Sequence, residues 1–565
     1  MLLLLFSIFN VKIMIYNING VKYMKSFLQQ IGATNEKNFY IKKVYGEVPL
    51  PKLNASDRIL IPVDEGIAVP VNQKAPFSIE DMTFCKREAT MSMVIIEREN
   101  EYLLISPEDG IYASYSLLWD GYQNKLSLKT NKEMYIRYGL YSSVKDACKA
   151  YRDLLSTKLI PLTDKLNKLP ELQKLMGGAV FWVWNDRYQE VMYAENNTDL
   201  NPATGEALLD IAEDLHQNGI SRAMVGIFFD SDSKMTEPLY KKYGYICTQY
   251  DNYNDVLKPE LLDKVPSNRL RNCDYTARRV KDYPDGIQID KDGKMEEAWA
   301  IKGFDGTYYA QNTLCPQVAA DRMREEIPEV LKKYPYYKGR FVDVYGVSLS
   351  ECFSDVHPLT FEQCREVKNG AYQSIMDMGL ITGTEDGSEA MVNTLCYTEG
   401  LHSPSYLRNY DSGRRYAYLY TEEECEHLKK YMLNPKWRVP LWHLVYHENL
   451  LSFPYWGDST CCAPEFLKDK ILFSCLFGCA PLYSFFVKNY ETIKPYILES
   501  YSKITKVHEK IACLPITDYQ VLTDDYLVQT TVFGENYRVI ANFGEEDFVY
   551  EGKIVKAKDF VFYEN

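Results

Sequence analysis

From Gly177 onward the chain repeats one pattern: a short apolar run, a stretch with helical spacing, then another apolar run. Strands that alternate with helices in this way form parallel β/α units, which leaves few architectures open. In chain order the strand candidates are GAVFWVW, AMVGIFF, YGYICTQY, RFVDVYGV, GLITGTE, YAYLY, VPLWHLVYH and ILFSCLFG. Eight such units close a (β/α)8 barrel of the TIM type. Two intervening helices have readable ends. Asn201-Pro202 offers an N-cap with proline in the first turn, Leu208, Ile211, Ala212 and Leu215 recur at helical spacing, and Gly219 stops the run. Thr360 and Gln363 make a capping box, followed by Val367, Ala371, Ile375 and Met378 and closed by Gly379.

The flanks read differently. RILIPVDEGIAVPV, SMVIIEREN, EYLLISPEDG and MYIRYGL alternate and break at Pro, Asp-Gly and Glu-Gly, which predicts an N-terminal antiparallel β-sandwich. A helical stretch from Ser142 to about Leu155 leads out of it. After residue 520 short strands return, as a small C-terminal β domain. At 565 residues the chain is too long for one core. The predicted division is 1–165 for the sandwich with its helical linker, 166–515 for the α/β barrel, and 516–565 for the C-terminal β domain. Residues 252–335 form an insertion with a hairpin around KDGKMEEAWAIKGFDGTYYA and helices on either side.

A net charge of -14 with no offsetting basic run repels phosphate backbones and anionic lipid, so neither nucleic acid nor membrane is an expected partner. The opening MLLLLFSIF has no basic residue before it and no small-residue cleavage site, and is too short to span a bilayer; Met14 and Met24 are alternative starts. The 14 Cys include no C-x-x-C pair and sit in apolar runs, which fits a reducing, cytoplasmic setting. No metal or cofactor motif stands out: His443 and His447 lack the intervening Glu of a zincin, and no phosphate loop or nucleophile elbow is present. Tyrosine is abundant, at 46 residues beside 24 Phe and 7 Trp, and such rings suit the faces and rims of sugars as well as ordinary packing.

Barrel chemistry sits at the C-terminal ends of the strands. The acids expected there are Asp186, Asp230 and Asp232, Asp251 and Asp255, then Asp343 within the fourth strand and Glu385 at the end of the fifth. An acid inside an apolar strand such as RFVDVYGV is costly to bury unless paired or functional. Strands lie about 4.8 Å apart, so carboxyls on strands four and five can approach the ~5–5.5 Å that a retaining glycosidase needs between nucleophile and acid/base. Glu389, one turn beyond Glu385, is the rival acid, and Trp184 and Trp456 are aromatic candidates against the sugar.

Taken together and in order, FVDVYGV, DVHPLTFEQCREV, GLITGTEDGSEA, VPLWHLVYHENLLSFPYWGD and ILFSCLFGCAPLYSF resemble the catalytic barrel of the α-N-acetylgalactosaminidase-like glycoside hydrolases, family 129, and their distant family 101 relatives. The resemblance implies a retaining enzyme that removes α-linked N-acetylgalactosamine, or a related α-galactoside, from glycans or glycopeptides. It implies Asp343 as nucleophile, Glu385 as acid/base, and Asp251, Tyr253 and His447 about the sugar, with Asp230 at its strand end as a further candidate for substrate binding. One departure is Glu448, where the family pattern has Asp beside the His. A mucin-type substrate would place the protein outside the cell instead. A non-catalytic glycan-binding barrel and an α-glycosidase for another sugar are the competing readings.

Overall fold

The computed structural model describes residues 24–36, 39–84, 89–155, 158–186, 204–265 and 279–564. At the N-terminal side a nine-stranded antiparallel sheet runs from Thr34–Glu36 to Asn124–Tyr141. The last of these strands is 18 residues long, and its first seven residues alternate between buried and exposed, the period of a strand with one wet face. Its first half pairs with Ala113–Trp119, and its second half lies between Phe39–Glu47 and Glu101–Pro107, so one strand carries both parts of the sheet. Helix Val144–Leu154 follows, within the helical stretch the sequence predicts, and the Ser143 side chain caps it.

Eight parallel strands form the barrel: β1 Ala179–Trp184, β2 Ala223–Ile227, β3 Ile246–Asn252, β4 Tyr337–Asp343, β5 Ile381–Gly387, β6 Tyr397–Leu401, β7 Leu451–Phe453 and β8 Leu482–Phe486. They pair in the order β7-β6-β5-β4-β3-β2-β1-β8. The seam narrows to a hydrogen bond from Ala480 N, just before β8, to Ser452 O in β7. The barrel is nearly closed.

The first five strands fall where the sequence places them, and the last three do not. Tyr416–Tyr420 is not a strand; β6 is the polar stretch YTEGL. The run around His443 and His447 is mostly a short helix, Leu441–Tyr446, and the run from Ile471 lies in helix Leu467–Phe477. Of the 11 residues in that second helix, eight are buried, because it is wedged between the helix Tyr490–Ile511 and the C-terminal sheet. A helix covered on every side loses its 3.6-residue periodicity and reads like a buried strand.

Helix Phe361–Asp377 carries the full capping box of Thr360 and Gln363 and stops at Gly379, at φ +80°. Helix Glu206–Gln217 starts later than predicted, after Gly205; the Asn201-Pro202 cap lies outside the described residues. In the insertion, strands Glu297–Lys302 and Tyr308–Thr313 form the hairpin, and Pro316–Lys333 is the following helix. Four antiparallel strands, Ile516–Val521, Val528–Phe533, Tyr537–Asn542 and Asp559–Glu564, make the C-terminal sheet.

Candidate active site

Strand register sets a row of polar side chains across the mouth of the barrel. Asn252 of β3 lies opposite Asp343 of β4, and Glu385 of β5 lies opposite Glu399 of β6. Val342 lies opposite Thr384, so the next step brings Asp343 beside Glu385. Two residues before Asp343 on the same side of β4, Phe341 packs against Trp182 and Trp456 inside the barrel. The row therefore faces inward.

Both acids are nearly enclosed, at 6% exposure for Asp343 and 8% for Glu385. Tyr250 Oη donates to Asp343 Oδ2 at 2.6 Å, Tyr455 Oη to Glu385 Oε1 at 2.9 Å, and Trp182 Nε1 to Glu399 Oε2 at 2.9 Å. Burial, and then the charge of Glu385, push the Asp343 carboxyl well above the usual carboxylate range; the two also meet by hydrogen bonding. Two carboxyls coupled in this way titrate as a pair rather than independently. Burial, and then the same Glu385 charge, raise Glu399 as well. Tyr250 and Tyr455 are pushed up by burial and by the carboxylates beside them, which keeps both phenols neutral and able to donate. Among the described residues, Asp343 Oδ1 and Glu399 Oε1 are buried oxygens with no hydrogen-bond partner.

An aromatic wall surrounds the row. Trp456 stacks on Tyr250 with centroids 5.9 Å apart and meets Trp182 edge-on at 5.8 Å. Trp184 stacks on Trp182, touches Tyr416 at 4.2 Å and donates its Nε1 to Ser484. Gly400, at φ +83°, is the penultimate residue of β6, where a Cβ would come within 3.0 Å of the Tyr455 Cβ and 2.9 Å of Asp386 Oδ1. Only glycine leaves room there for the tyrosine that holds Glu385. Behind Tyr455 the Arg408 guanidinium lies 4.0 Å over its ring and pairs with Asp386.

The sequence profile of the glycosyl hydrolases related to GH101, family GH129, matches residues 214–532. The chain belongs to family GH129. The matched segment spans β2 to β8 and contains Asp343, Glu385 and Glu399. The ligand-free α-N-acetylgalactosaminidase NagBb of Bifidobacterium bifidum shares the fold at 17% identity, with TM-score 0.64 over 90% of this chain and 82% of that one. Its GalNAc complex superposes at TM-score 0.64 and 16% identity, covering 93% and 84%. The Gal-NHAc-DNJ complex gives TM-score 0.64 at 16% identity, covering 94% and 83%. No curated protein matches the chain in sequence.

In this GH129 barrel Asp343, Glu385, Trp184 and Trp456 converge on one site. Other expected residues lie elsewhere. Asp251 sits opposite Val342, on the outward parity of its strand, and forms a buried ion pair with Arg340. Arg340 also binds Gln249, whose Nε2 donates to Asp230, so Asp230 joins that outward network. Tyr253 packs outside the barrel bore under the Arg279 guanidinium, 4.4 Å from its ring centroid. Glu389 accepts from Ser92 Oγ at 2.5 Å, Tyr151 Oη at 2.6 Å and Tyr446 Oη at 2.8 Å, tying the N-terminal sheet to the barrel. His447 is buried against Phe533 with its nitrogens on the carbonyls of Leu514 and Gly478, and burial lowers it to about 4. Beside it Glu448 pairs with Arg152. Asp186 accepts from Lys488 N, Asp232 from Thr204 and Gly205, and Asp255 from Asn252 and Asn254. Sequence reading missed Glu399, Tyr250, Tyr455 and Trp182. Tyr250 and Trp182 stood in identified strands at inward positions; Glu399 stood in a strand too polar to recognise.

Proposed function

We propose that this GH129 chain is a retaining α-N-acetylgalactosaminidase that acts on glycans or glycopeptides, with Asp343 as nucleophile and Glu385 as acid/base. The observation that carries the reading is the placement of these two buried carboxyls side by side on β4 and β5, one step beyond the Val342–Thr384 pair. A retaining pair lies ~5–5.5 Å apart, whereas an inverting pair must leave ~6.5–9.5 Å for a water. In the first step the Asp343 carboxylate bonds to the anomeric carbon while Glu385 gives its proton to the departing glycosidic oxygen. In the second step Glu385 takes a proton from water, which displaces the Asp343 ester and restores both groups.

The N-acetyl sugar is favoured by two features. Among the described residues Glu399 Oε1 has no partner and is open to a ring hydroxyl, and the Trp456 indole N–H, beside Tyr455 on the same wall, is suited to an amide carbonyl. The fold also matches a solved α-N-acetylgalactosaminidase that binds GalNAc. The test is a panel of p-nitrophenyl α-glycosides with the product anomer followed by NMR. Release of α-GalNAc from the N-acetylgalactosaminide is expected, with turnover lost by several orders of magnitude in Asp343→Ala. First appearance of the β-anomer rejects retention, and hydrolysis confined to another sugar rejects the substrate.

A further inference from the structure

We infer that Cys315, Cys352 and His357 form a site for a thiophilic divalent cation, zinc being the physiological fit, which braces the loop that follows Asp343. The three residues come from separate parts of the fold. Cys315 is the N-cap of helix Pro316–Lys333, and Cys352 and His357 lie in the segment between β4 and the helix Phe361–Asp377. Reciprocal backbone hydrogen bonds between Cys352 and Leu359, both 2.9 Å, close the loop that carries His357. One donor atom from each residue falls within 4.8 Å of the others. Cys352 Sγ stands 3.3 Å from His357 Nδ1. With Zn–S of ~2.3 Å and Zn–N of ~2.0–2.1 Å, tetrahedral ligands lie about 3.5–3.8 Å apart, so modest side-chain adjustment centres an ion.

The imidazole is already in the ligating tautomer. His357 Nε2 is 2.7 Å from the carbonyl oxygen of Asp285, which can only accept, so Nε2 carries the hydrogen and the Nδ1 lone pair points at Cys352. Ile289 N donates to Cys352 Sγ at 3.5 Å, as backbone amides do to metal-bound thiolates. The ion would take two thiolates and one neutral imidazole, the thiol protons it displaces passing to solvent. A second cluster, Glu65, His443 and Cys479, has comparable spacing, but Arg438 pairs with Glu65 there and places a fixed cation against any incoming one.

The experiment uses the full chain purified under reducing conditions. Metal analysis after dialysis should find one zinc per chain. Cobalt(II) replacement should give a thiolate-to-cobalt charge-transfer band in the near ultraviolet and visible bands of tetrahedral intensity. Cys352→Ser and His357→Ala should lose the bound ion, while Cys479→Ser keeps it. Should the variants fail to fold, alkylation mapping of the wild type decides: zinc should shield Cys315 and Cys352 from iodoacetamide, and a chelator should expose them. Substoichiometric metal even with added zinc, a Cys315–Cys352 disulfide in the reduced preparation, or loss of the ion in Cys479→Ser would each overturn the assignment.

Discussion

Glu385 and Glu389 stand one helical turn apart in sequence, and their replacement should produce opposite phenotypes. Glu389 collects three hydroxyl donors, Ser92 beside the N-terminal sheet, Tyr151 of helix Val144–Leu154 and Tyr446 of helix Leu441–Tyr446. A hydrogen bond to a charged group contributes ~1.5–3 kcal/mol net, and three sharing one carboxylate fall short of additivity. Glu389→Ala should therefore cost about 2–4 kcal/mol in urea unfolding, with kcat unchanged at a temperature where the variant is folded. Glu385→Ala removes a buried carboxyl that Asp343 repels. It should leave stability equal or raised while kcat falls about 10²–10⁴-fold, the usual worth of a general acid/base. Azide should restore turnover of an activated aryl glycoside in Glu385→Ala alone. If Glu389→Ala is as stable as the wild type, inactive and rescued by azide, the assignment of roles is wrong.

Four further outcomes follow from the same geometry. Tyr455→Phe removes the hydrogen bond that favours ionised Glu385, so the alkaline limb of the kcat/KM–pH profile should move to higher pH and activity should fall by about 10-fold or more. Arg340→Met strands Asp251 without its cation and should cost about 3–5 kcal/mol in denaturant unfolding, with normal kcat in the folded fraction. Gly400→Ala forces a side chain onto Tyr455 and Asp386 at positive φ, and should lower both thermal midpoint and turnover. For Glu399 the folded protein holds a proton more tightly than the unfolded chain does, so stability falls as pH rises from the ordinary Glu range towards the raised native value. Glu399→Gln should remove that slope, read as a gain in thermal midpoint over wild type that widens with pH across that interval.

The five strands that were legible are those preceded by readable helix ends or flanked by clear turns, as Gly379 sets up β5. The other three were hidden for two physical reasons. β6 carries Thr398, Glu399 and Gly400 because its residues serve the site, and this erases the apolar signal. β7 is only three residues long, and the buried helices before β7 and β8 mimic strands. Acids within strands pointed alike to Asp343 and Glu385, which line the bore, and to Asp251, which faces outward. The difference is parity: β3 is buried on both faces, so Tyr250 pointing in and Asp251 pointing out leave the same trace. No local feature of Glu389 reveals that two of its three donors lie more than two hundred residues earlier.

How the fold partners its buried acids separates scaffold from chemistry. Asp57 is clasped by Arg98 through two hydrogen bonds, Asp251 by Arg340, Asp386 by Arg408, and the half-buried Glu389 by three hydroxyls. Buried carboxylates need such partners, since desolvation costs several kcal/mol per ion. Asp343 and Glu399 have no cation in contact among the described residues; each takes one neutral donor and keeps one oxygen bare. Aromatic rings and a neighbouring carboxyl surround them, the setting that most disfavours charge. A stability-optimised barrel would place apolar side chains at these positions, as β4 does at Phe341 and Val342. The destabilisation is offset elsewhere by fully paired acids, and it is concentrated on the row where a glycosidic bond would be held between a nucleophile and a proton donor.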